Sequence, residues 1–561
     1  MSTNSITGSL ARPTAQRPTT VASRVGSWRE DVLVAGLIVL WVLIALTLVY
    51  RVPQPLQVDL GSSYGRAHTR GFDRRETNQD YTYTFTRESS QIFIPGAGGG
   101  NFATLLRFNG WRPAGVDPAI VHLGNGRAGV TFRPAGEMRS YHVLVPATAG
   151  DIDYRIISNL FQGSPSDPRT LGVPIDRFEA SATAFVPPLR SGLILLALAL
   201  GLYGLARRLA FGPGTSAVLA LLLVSSACYG LLTARMLITV GLVRWLVVVV
   251  GLHVLLWPLC RALAALYRWS NLDVTPGELT WLGRIFVAAT LVKLGGILYP
   301  HIIIFDEPAH VMRMQWILDG RFMELYRPGY TSYMGDTVGL GSGQFPYSPL
   351  WYLVVVPFRF VGLSLKDATN GLSALMDVSK LIPIHMIALA TTGSRRTSLL
   401  AAAFYHLLPM PLFILSWGNY PTQFGLWASL NATAFLVVNY RRFEGRQRFI
   451  AWAAFMALAI LSYTVLGVFA ITLFGLIGVL GLAQRDGLGF RRLRFIVAGI
   501  IVAELFCFAI YHVQFAGLFL RDTLPAIMSG TSQRLDAPLD ASAEARTNAL
   551  ANIAANNQFT V

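Results

Sequence analysis

Two adjacent carboxylates, Asp306 and Glu307, open the segment FDEPAHVMRMQWILDG directly after an apolar run long enough to cross a bilayer. Pro308 suits the first turn of a helix and Gly320 its end, so both carboxylates fall at a helix N-terminus. Unpaired amides and the helix dipole there favour an ionised carboxylate, which can act as a general base or coordinate a cation. Capping the helix is the plainer role for either residue. His310 stands four residues after Asp306, and Arg313 one turn beyond it. One histidine with two carboxylates is a weak metal set, so hydrogen bonding or substrate contact is the role expected of His310, with Arg313 beside it.

A second charged group lies inside the apolar run that begins at Gly371. Asp377 and Lys380 are three residues apart, on one helix face, about 9 to 14 Å from the start of that run. Charges at such depth must face protein or water, and an internal ion pair that fixes helix packing is one outcome. Lys293, in the preceding apolar run, is a second cation candidate, with snorkelling toward the interface the role expected of it. Two polar breaks between later runs, GNYPTQ (418–423) and LSYTVLG (461–467), read first as connectors, with Tyr420 and Gln423 as candidate ligand contacts.

The elements that must position these residues are membrane spans. Hydrophobic residues make up 53% of the chain and charged residues 14%, and apolar runs of about 20 residues recur. The formal charge of +16 is carried almost wholly by arginine, with lysine only at 293, 366 and 380, and the arginines cluster in short loops between apolar runs. That is the positive-inside pattern and excludes a nucleic-acid footprint. Cys228, Cys260 and Cys507 all lie in apolar runs without metal-type spacing, so neither a disulfide framework nor a zinc site is indicated.

From the N-terminus, residues 1–31 read as a polar cytoplasmic tail and 32–50 as a first anchor, retained rather than cleaved, although an uncleaved signal looks the same. Residues 51–187 change composition. Gly, Pro, Asp and Asn punctuate alternating runs such as YTYTFT (81–86), QIFIP (91–95), TLLRF (104–108), GVTFRP (129–134) and YHVLVP (141–146), which predicts an antiparallel, jelly-roll-like β-sandwich. Its 14 Arg nearly balance its 12 Asp and Glu. Trp111 is either a core residue or an aromatic stacking platform.

Three spans are then expected over 188–278, and a core over 279–515 made from runs at 279–299, 371–391, 397–417, 421–440, 447–463, 465–483 and 494–515. With the anchor, that makes eleven spans. Counting 349–361 as another would reverse the side of the clusters Arg395/Arg396 and Arg441/Arg442/Arg446/Arg448, so 347–362 is assigned to a juxtamembrane helix. The N-terminus is then inside; the sandwich, the long loop 299–346 and the tail 516–561 are outside. So long an outer loop is rarely kept without use.

An apolar helix, Asp306-Glu307, His310, a helix ending in Gly320, the aromatic-proline segment FPYSPLWYLVVVPF (345–358) and a span carrying a basic residue together resemble the GT-C glycosyltransferases. The closest likeness is to the protein-mannosyltransferase and lipid A aminoarabinose-transferase type. It covers about 283–482, and departs from the family at Ser348-Pro349, where Pro-Pro is usual, and at Lys380, where Arg is usual. The resemblance implies a multi-pass cell-membrane enzyme that moves a sugar from a polyprenyl-phosphate donor to a glycan, lipid or protein acceptor at the non-cytoplasmic face, with inversion. In that scheme Asp306 deprotonates the acceptor hydroxyl and Glu307 supports it. Lys380, with Asp377, meets the departing phosphate, and Tyr347 belongs to the substrate entrance. No metal is required, though Asp306, Glu307 and His310 leave room for a divalent cation. The sandwich either holds a glycan acceptor or serves as a spacer or protein-interaction module.

Two other classes fit the same pattern in part. A transporter or flippase of lipid-linked sugars would also show many spans and buried charges, but no pair of broken segments recurs in two halves of the chain. In a non-catalytic subunit of a surface-polysaccharide system, the sandwich would be the working part.

Overall fold

The computed structural model describes residues 22–525 apart from 324–347 and short gaps around 62, 79, 127, 148, 164–168, 184–185, 300–303, 443–444, 485–487 and 519–524. A β-domain is inserted between the first two helices of a helical bundle. The bundle begins with α1 (Ala22–Arg51) and resumes with α2 (Leu189–Arg208), α3 (Pro213–Thr233), α4 (Arg235–Trp269) and α5 (Pro276–Ile297). Two short helices follow, α6 (Glu307–Leu318) and α7 (Leu350–Val355), the latter continued by a 3-10 turn over Val356–Val361. Then come α8 (Leu365–Ser379), α9 (Leu381–Thr392), α10 (Arg395–Leu407), α11 (Pro409–Trp417), α12 (Tyr420–Asn439), α13 (Arg446–Ser462), α14 (Thr464–Leu480) and α15 (Gly489–Ile510).

Among the described residues, eight helices are long and apolar enough to cross a membrane, counting Leu365–Thr392 as one; α10 and α11 add a ninth if their 43° bend is taken within one span. Each of the eleven apolar runs is helical, but α13 has only 17 residues and neither it nor α12 meets the same test of length and hydropathy. The segment assigned to a juxtamembrane helix is shorter than expected among the described residues. It begins at Leu350, tightens into the 3-10 turn at Val356 with Pro357 in its first turn, and stops at Gly362, whose φ of +89° is left-handed.

Local sequence explains the helix starts. At α5, Thr275 Oγ1 accepts from the Glu278 amide while the Glu278 carboxylate accepts from the Thr275 amide, a reciprocal cap with Pro276 in the first turn. Ser364 caps α8 by accepting from the Asp367 amide at 3.0 Å, and Ser394 caps α10. The polar residues Lys366, Asn370, Ser373, Asp377 and Lys380 recur along α8 at steps of three or four, so one of its faces is a polar stripe directed into the bundle; Asn370, Ser373, Asp377 and Lys380 are all buried.

The β-domain is antiparallel throughout, as its alternation predicts. Its strands are β1 (Leu56–Asp59), β2 (Thr69–Thr77), β3 (Thr82–Ile94), β4 (Asn101–Phe108), β5 (Val121–Gly124), β6 (Gly129–Phe132), β7 (Arg139–Pro146), β8 (Ile152–Ser158), β9 (Phe161–Gln162), β10 (Thr170–Leu171) and β11 (Pro174–Ala182). Instead of two separate sheets, nine strands form one curled sheet, with β9 and β10 as a separate ribbon. The reason is strand length: YTYTFT and QIFIP are two ends of one 13-residue strand, β3, which pairs with β2, β8 and β11. The curl wraps a core that includes Ile92, Phe102, Phe108, Tyr154 and Phe178. Trp111 stays outside it at 52% exposure, its ring edge-on to Phe161.

Buried polar groups fasten the two parts together. Arg235, at the start of α4, donates to the carbonyls of Val49 and Val52 at 3.2 Å and lies over the Tyr50 ring. The Tyr50 hydroxyl donates to the Gly96 carbonyl, and Asp151 accepts from the Gly96 amide and from Arg190 of α2. Satisfying these groups mutually is what makes their burial tolerable.

Candidate active site

The site is assembled where α6 begins, at the end of the bundle that carries the β-domain. Asp306 is the residue before α6, and its backbone amide donates to the Trp417 carbonyl at 2.9 Å. That contact needs a glycine next to Trp417. Gly418 has φ +74°, and a Cβ there would lie 2.6 Å from Ile304 Cγ2 and 3.0 Å from the Glu307 amide nitrogen. The turn between α11 and α12 can therefore sit directly beneath the two carboxylates. Phe305 and Trp417 stack at 6.2 Å and flank Asp306.

The two carboxylates have different surroundings. Glu307 is buried and held twice: its Oε1 meets Lys366 Nζ at 2.8 Å and its Oε2 accepts from Asn370 Nδ2 at 2.7 Å. The Asp306 side chain is half-buried, makes no capping bond and has no hydrogen-bond or salt-bridge partner among the described residues. Burial pushes its carboxyl above the usual carboxylate range, with the Arg313 charge pulling the other way. A carboxylate poised in this way suits proton abstraction better than an ordinary surface aspartate does.

Around the pair lies an aromatic and hydrogen-bonded wall. Asn370 accepts from the Tyr420 hydroxyl at 2.6 Å, so one amide bridges Glu307 and α12. Trp351 stacks on Tyr420 with an interplanar angle of 14° and donates its indole N–H to Thr369 at 3.2 Å. His310 Nδ1 and the Tyr352 hydroxyl share a 2.8 Å hydrogen bond, and Arg313 Nη1 donates to the same hydroxyl at 3.3 Å. Since Arg313 can only donate, the Tyr352 proton is left for Nδ1, which assigns the imidazole proton to Nε2. Burial, reinforced by Arg313, pushes His310 down to about 3. It is therefore a neutral hydrogen-bonding residue. Burial likewise raises the Tyr352 phenol above its ordinary value, with Arg313 opposing.

Of the residues singled out from sequence, Asp306, Glu307, His310, Arg313 and Tyr420 thus come together. Gln423, on the next turn of α12, is 1% exposed and neither atom of its amide has a hydrogen-bond partner among the described residues. Such a group calls for a water or ligand partner. Tyr347 and the loop residues 324–346 lie outside the described residues.

Asp377 and Lys380 form a separate cluster farther along α8. Asp377 Oδ1 accepts from Lys380 at 3.0 Å and from the Tyr405 hydroxyl at 2.7 Å, while Lys293 meets Asp377 Oδ2. Lys293 does not snorkel: it is 1% exposed, because a buried carboxylate on α8 gives its ammonium an internal partner. Two ammonium groups share one carboxylate, with both near the Tyr405 ring.

Sequence reasoning missed Lys366, Asn370, Tyr352 and Tyr405. The signal for the first two was the polar stripe of α8, which starts five residues before the apolar run assigned as a span. Nothing in the order of residues announced Tyr352 or Tyr405, which reach their partners across the bundle. Among the described residues, no three His, Cys, Asp or Glu side chains gather as a metal ion would require. Comparison with protein-family models, curated proteins and solved structures finds no match to this chain.

Proposed function

We propose that the chain is a membrane glycosyltransferase of the GT-C type that moves a sugar from a polyprenyl-phosphate donor to an acceptor hydroxyl at the non-cytoplasmic face. The observation that carries this reading is the asymmetry at the start of α6: Asp306 has no side-chain partner among the described residues and a raised proton affinity, while Glu307 is clamped by Lys366 and Asn370. In the reaction, the acceptor oxygen bonds to the anomeric carbon as the bond from that carbon to the phosphate oxygen breaks. The acceptor proton passes to Asp306, and the electron pair leaves with the polyprenyl phosphate. Single displacement inverts the anomeric carbon.

This reading takes all eleven helical runs as spans of a cell-membrane protein with a cytoplasmic N-terminus. It takes 279–515 as the catalytic core and the curled β-domain as a jelly-roll-like module beside the site. The exposed ring of Trp111 then supplies a stacking surface for a glycan. His310, Arg313, Tyr347, Tyr420 and Gln423 contact substrate, and the cluster of Lys380 with Asp377 supplies positive charge toward the phosphate. No metal is assigned a role.

The test is transfer or hydrolysis from a panel of polyprenyl-phosphate sugars by protein in nanodiscs, with Asp306→Asn in parallel. Turnover by the native chain that disappears in the variant, with unfolding temperature unchanged, supports the reading. The buried Lys293–Asp377–Lys380 cluster favours a second reading, carriage of lipid-linked sugars across the membrane. Translocation without turnover, unaffected by Asp306→Asn, would select it.

A further inference from the structure

Two adjoining cavities of about 220 Å³ each lie between the β-domain and the bundle, sharing Ala67, Val240 and Arg244 in their walls. The first reaches Arg70 of β2 and the Arg190–Asp151 pair; the second reaches Lys366 and Asn370, the residues that hold Glu307. Together they form a trough from the underside of the β-domain to the edge of the candidate active site.

Its walls are unevenly charged. Four cations, Arg70, Arg190, Arg244 and Lys366, face two carboxylates, Asp151 and Asp367. Arg190 is matched by Asp151 at 3.0 Å and Lys366 by Glu307 at 2.8 Å. Arg70 and Arg244 have no carboxylate within salt-bridge distance among the described residues, and both are exposed. The one hydrogen bond found for the Arg244 side chain there is a long one, 3.4 Å, to the Leu298 carbonyl.

That carbonyl fixes the level of the trough. Leu298 directly follows α5, so the Arg244 guanidinium lies where α5 leaves the bundle. Arg244 is also nine residues from the start of α4, about 13 Å along its axis. Beside it Val243, and beyond it Val247, Val250 and Val254, recur at steps of four, three and four on the outer surface of α4, with exposures of 42%, 64%, 53% and 71%. Two guanidinium groups lining one cavity, beside an apolar stripe, are complementary to a phosphate group carried on a hydrocarbon chain: the fork-shaped donors match phosphate oxygens, and the stripe accepts the chain.

We propose that this trough binds the phosphate of a membrane lipid, held jointly by Arg70 of the β-domain and Arg244 of α4, with Lys366 at its far end. The β-domain is then part of a lipid-phosphate site and not a spacer. Because Lys366 and Asn370 both line the trough and hold Glu307, an occupant would sit against the residues that fix that carboxylate. Lys366 and Lys380 lie 14 residues apart along α8, about 21 Å, so a phosphate in the trough is distinct from the departing phosphate that the glycosyltransferase reading sets against Lys380, and the site does not rest on that reading.

The experiment uses the full chain in phosphatidylcholine nanodiscs and measures binding of a short-chain polyprenyl phosphate and of the corresponding uncharged prenol. The native chain is expected to bind the phosphate at least tenfold more tightly than the prenol, and Arg70→Gln/Arg244→Gln to lose that margin with an unchanged unfolding temperature. Arg70→Gln alone, outside the bundle, is expected to lose part of it and guards against misfolding of the double variant. Equal binding of phosphate and prenol by the native chain, or undiminished phosphate binding by both variants, would overturn the proposal. Inorganic phosphate is expected not to displace the lipid at matched concentration; equal displacement would assign the site to free phosphate and overturn the lipid source. Asp306→Asn is expected to bind as the native chain does; phosphate binding by a native chain that transfers no sugar would defeat the enzyme reading and leave the trough intact.

Discussion

Glu307 and Lys366 are joined across the end of the bundle, Oε1 to Nζ at 2.8 Å, although 59 residues separate them in the chain. The carboxylate is 9% exposed and the ammonium 53%, so the pair is half in water and contributes little to stability, about 0–1 kcal/mol. Its value lies in geometry: with Asn370 it fixes the residue next to the proposed base. Lys366→Gln is expected to leave the unfolding temperature nearly unchanged and to lower sugar transfer roughly tenfold or more, since small displacements near reacting groups are expensive. Parallel thermal unfolding and turnover measurements check this; a large fall in stability would show the pair to be structural instead.

Gly418 offers a second handle on the same positioning. Alanine there must adopt φ +74° and also press against Ile304 and the Glu307 amide. Gly393 shares the left-handed conformation, with φ +66°, and has nothing near its Cβ position, so Gly393→Ala carries backbone strain alone. Gly393→Ala is expected to cost about 1 kcal/mol, and Gly418→Ala about 1–3 kcal/mol more, together with most of the activity. Equal effects of the two substitutions on stability would mean that the turn gives way without disturbing α6.

The asymmetry of Asp306 and Glu307 was not legible in the sequence, whereas their place at a helix start was. Pro308 and the preceding apolar run mark that start through local chemistry, which needs no knowledge of the rest of the chain. What distinguishes the two carboxylates comes from α8 and from the turn at Gly418, and contacts between distant segments leave no periodic trace. The polar stripe of α8 is readable in principle, but Lys366 and Asn370 precede the apolar run that hydropathy marks as a span, so only its second half falls within that run. Periodicity likewise found the strands but divided β3 at Ser89 and Ser90, because polar residues in mid-strand look like a turn until their partners are known.

The pH dependence of transfer should separate Asp306 from His310. Burial raises the Asp306 carboxyl above the ordinary value of about 3.9, so the protonated form gains in the folded chain and activity falls as pH drops through the raised value. The stabilisation from this shift is complete below the ordinary value and is lost as pH rises through the raised one. An acid limb above the ordinary carboxylate range in kcat/KM is therefore expected for the native chain. His310, pushed down to about 3, is neutral throughout that range. His310→Gln should keep the limb in place while lowering the rate; a limb that moves with His310 would assign the titration to the wrong residue.

The Lys293–Asp377–Lys380 cluster makes opposite demands on its members. Removing Asp377 leaves two buried ammonium groups without their shared carboxylate, whereas removing one lysine leaves the other paired with it. Asp377→Asn is therefore expected to destabilise the bundle by about 3–5 kcal/mol, the usual cost of stranding a buried charge. Lys293→Met should be far milder, because methionine fills a similar volume and Asp377 keeps both Lys380 and the Tyr405 hydroxyl. Thermal unfolding in one detergent measures both variants side by side. If Lys293→Met proves as damaging as Asp377→Asn, the second ammonium is balancing charge beyond Asp377, and the cluster extends farther into the bundle than these three residues.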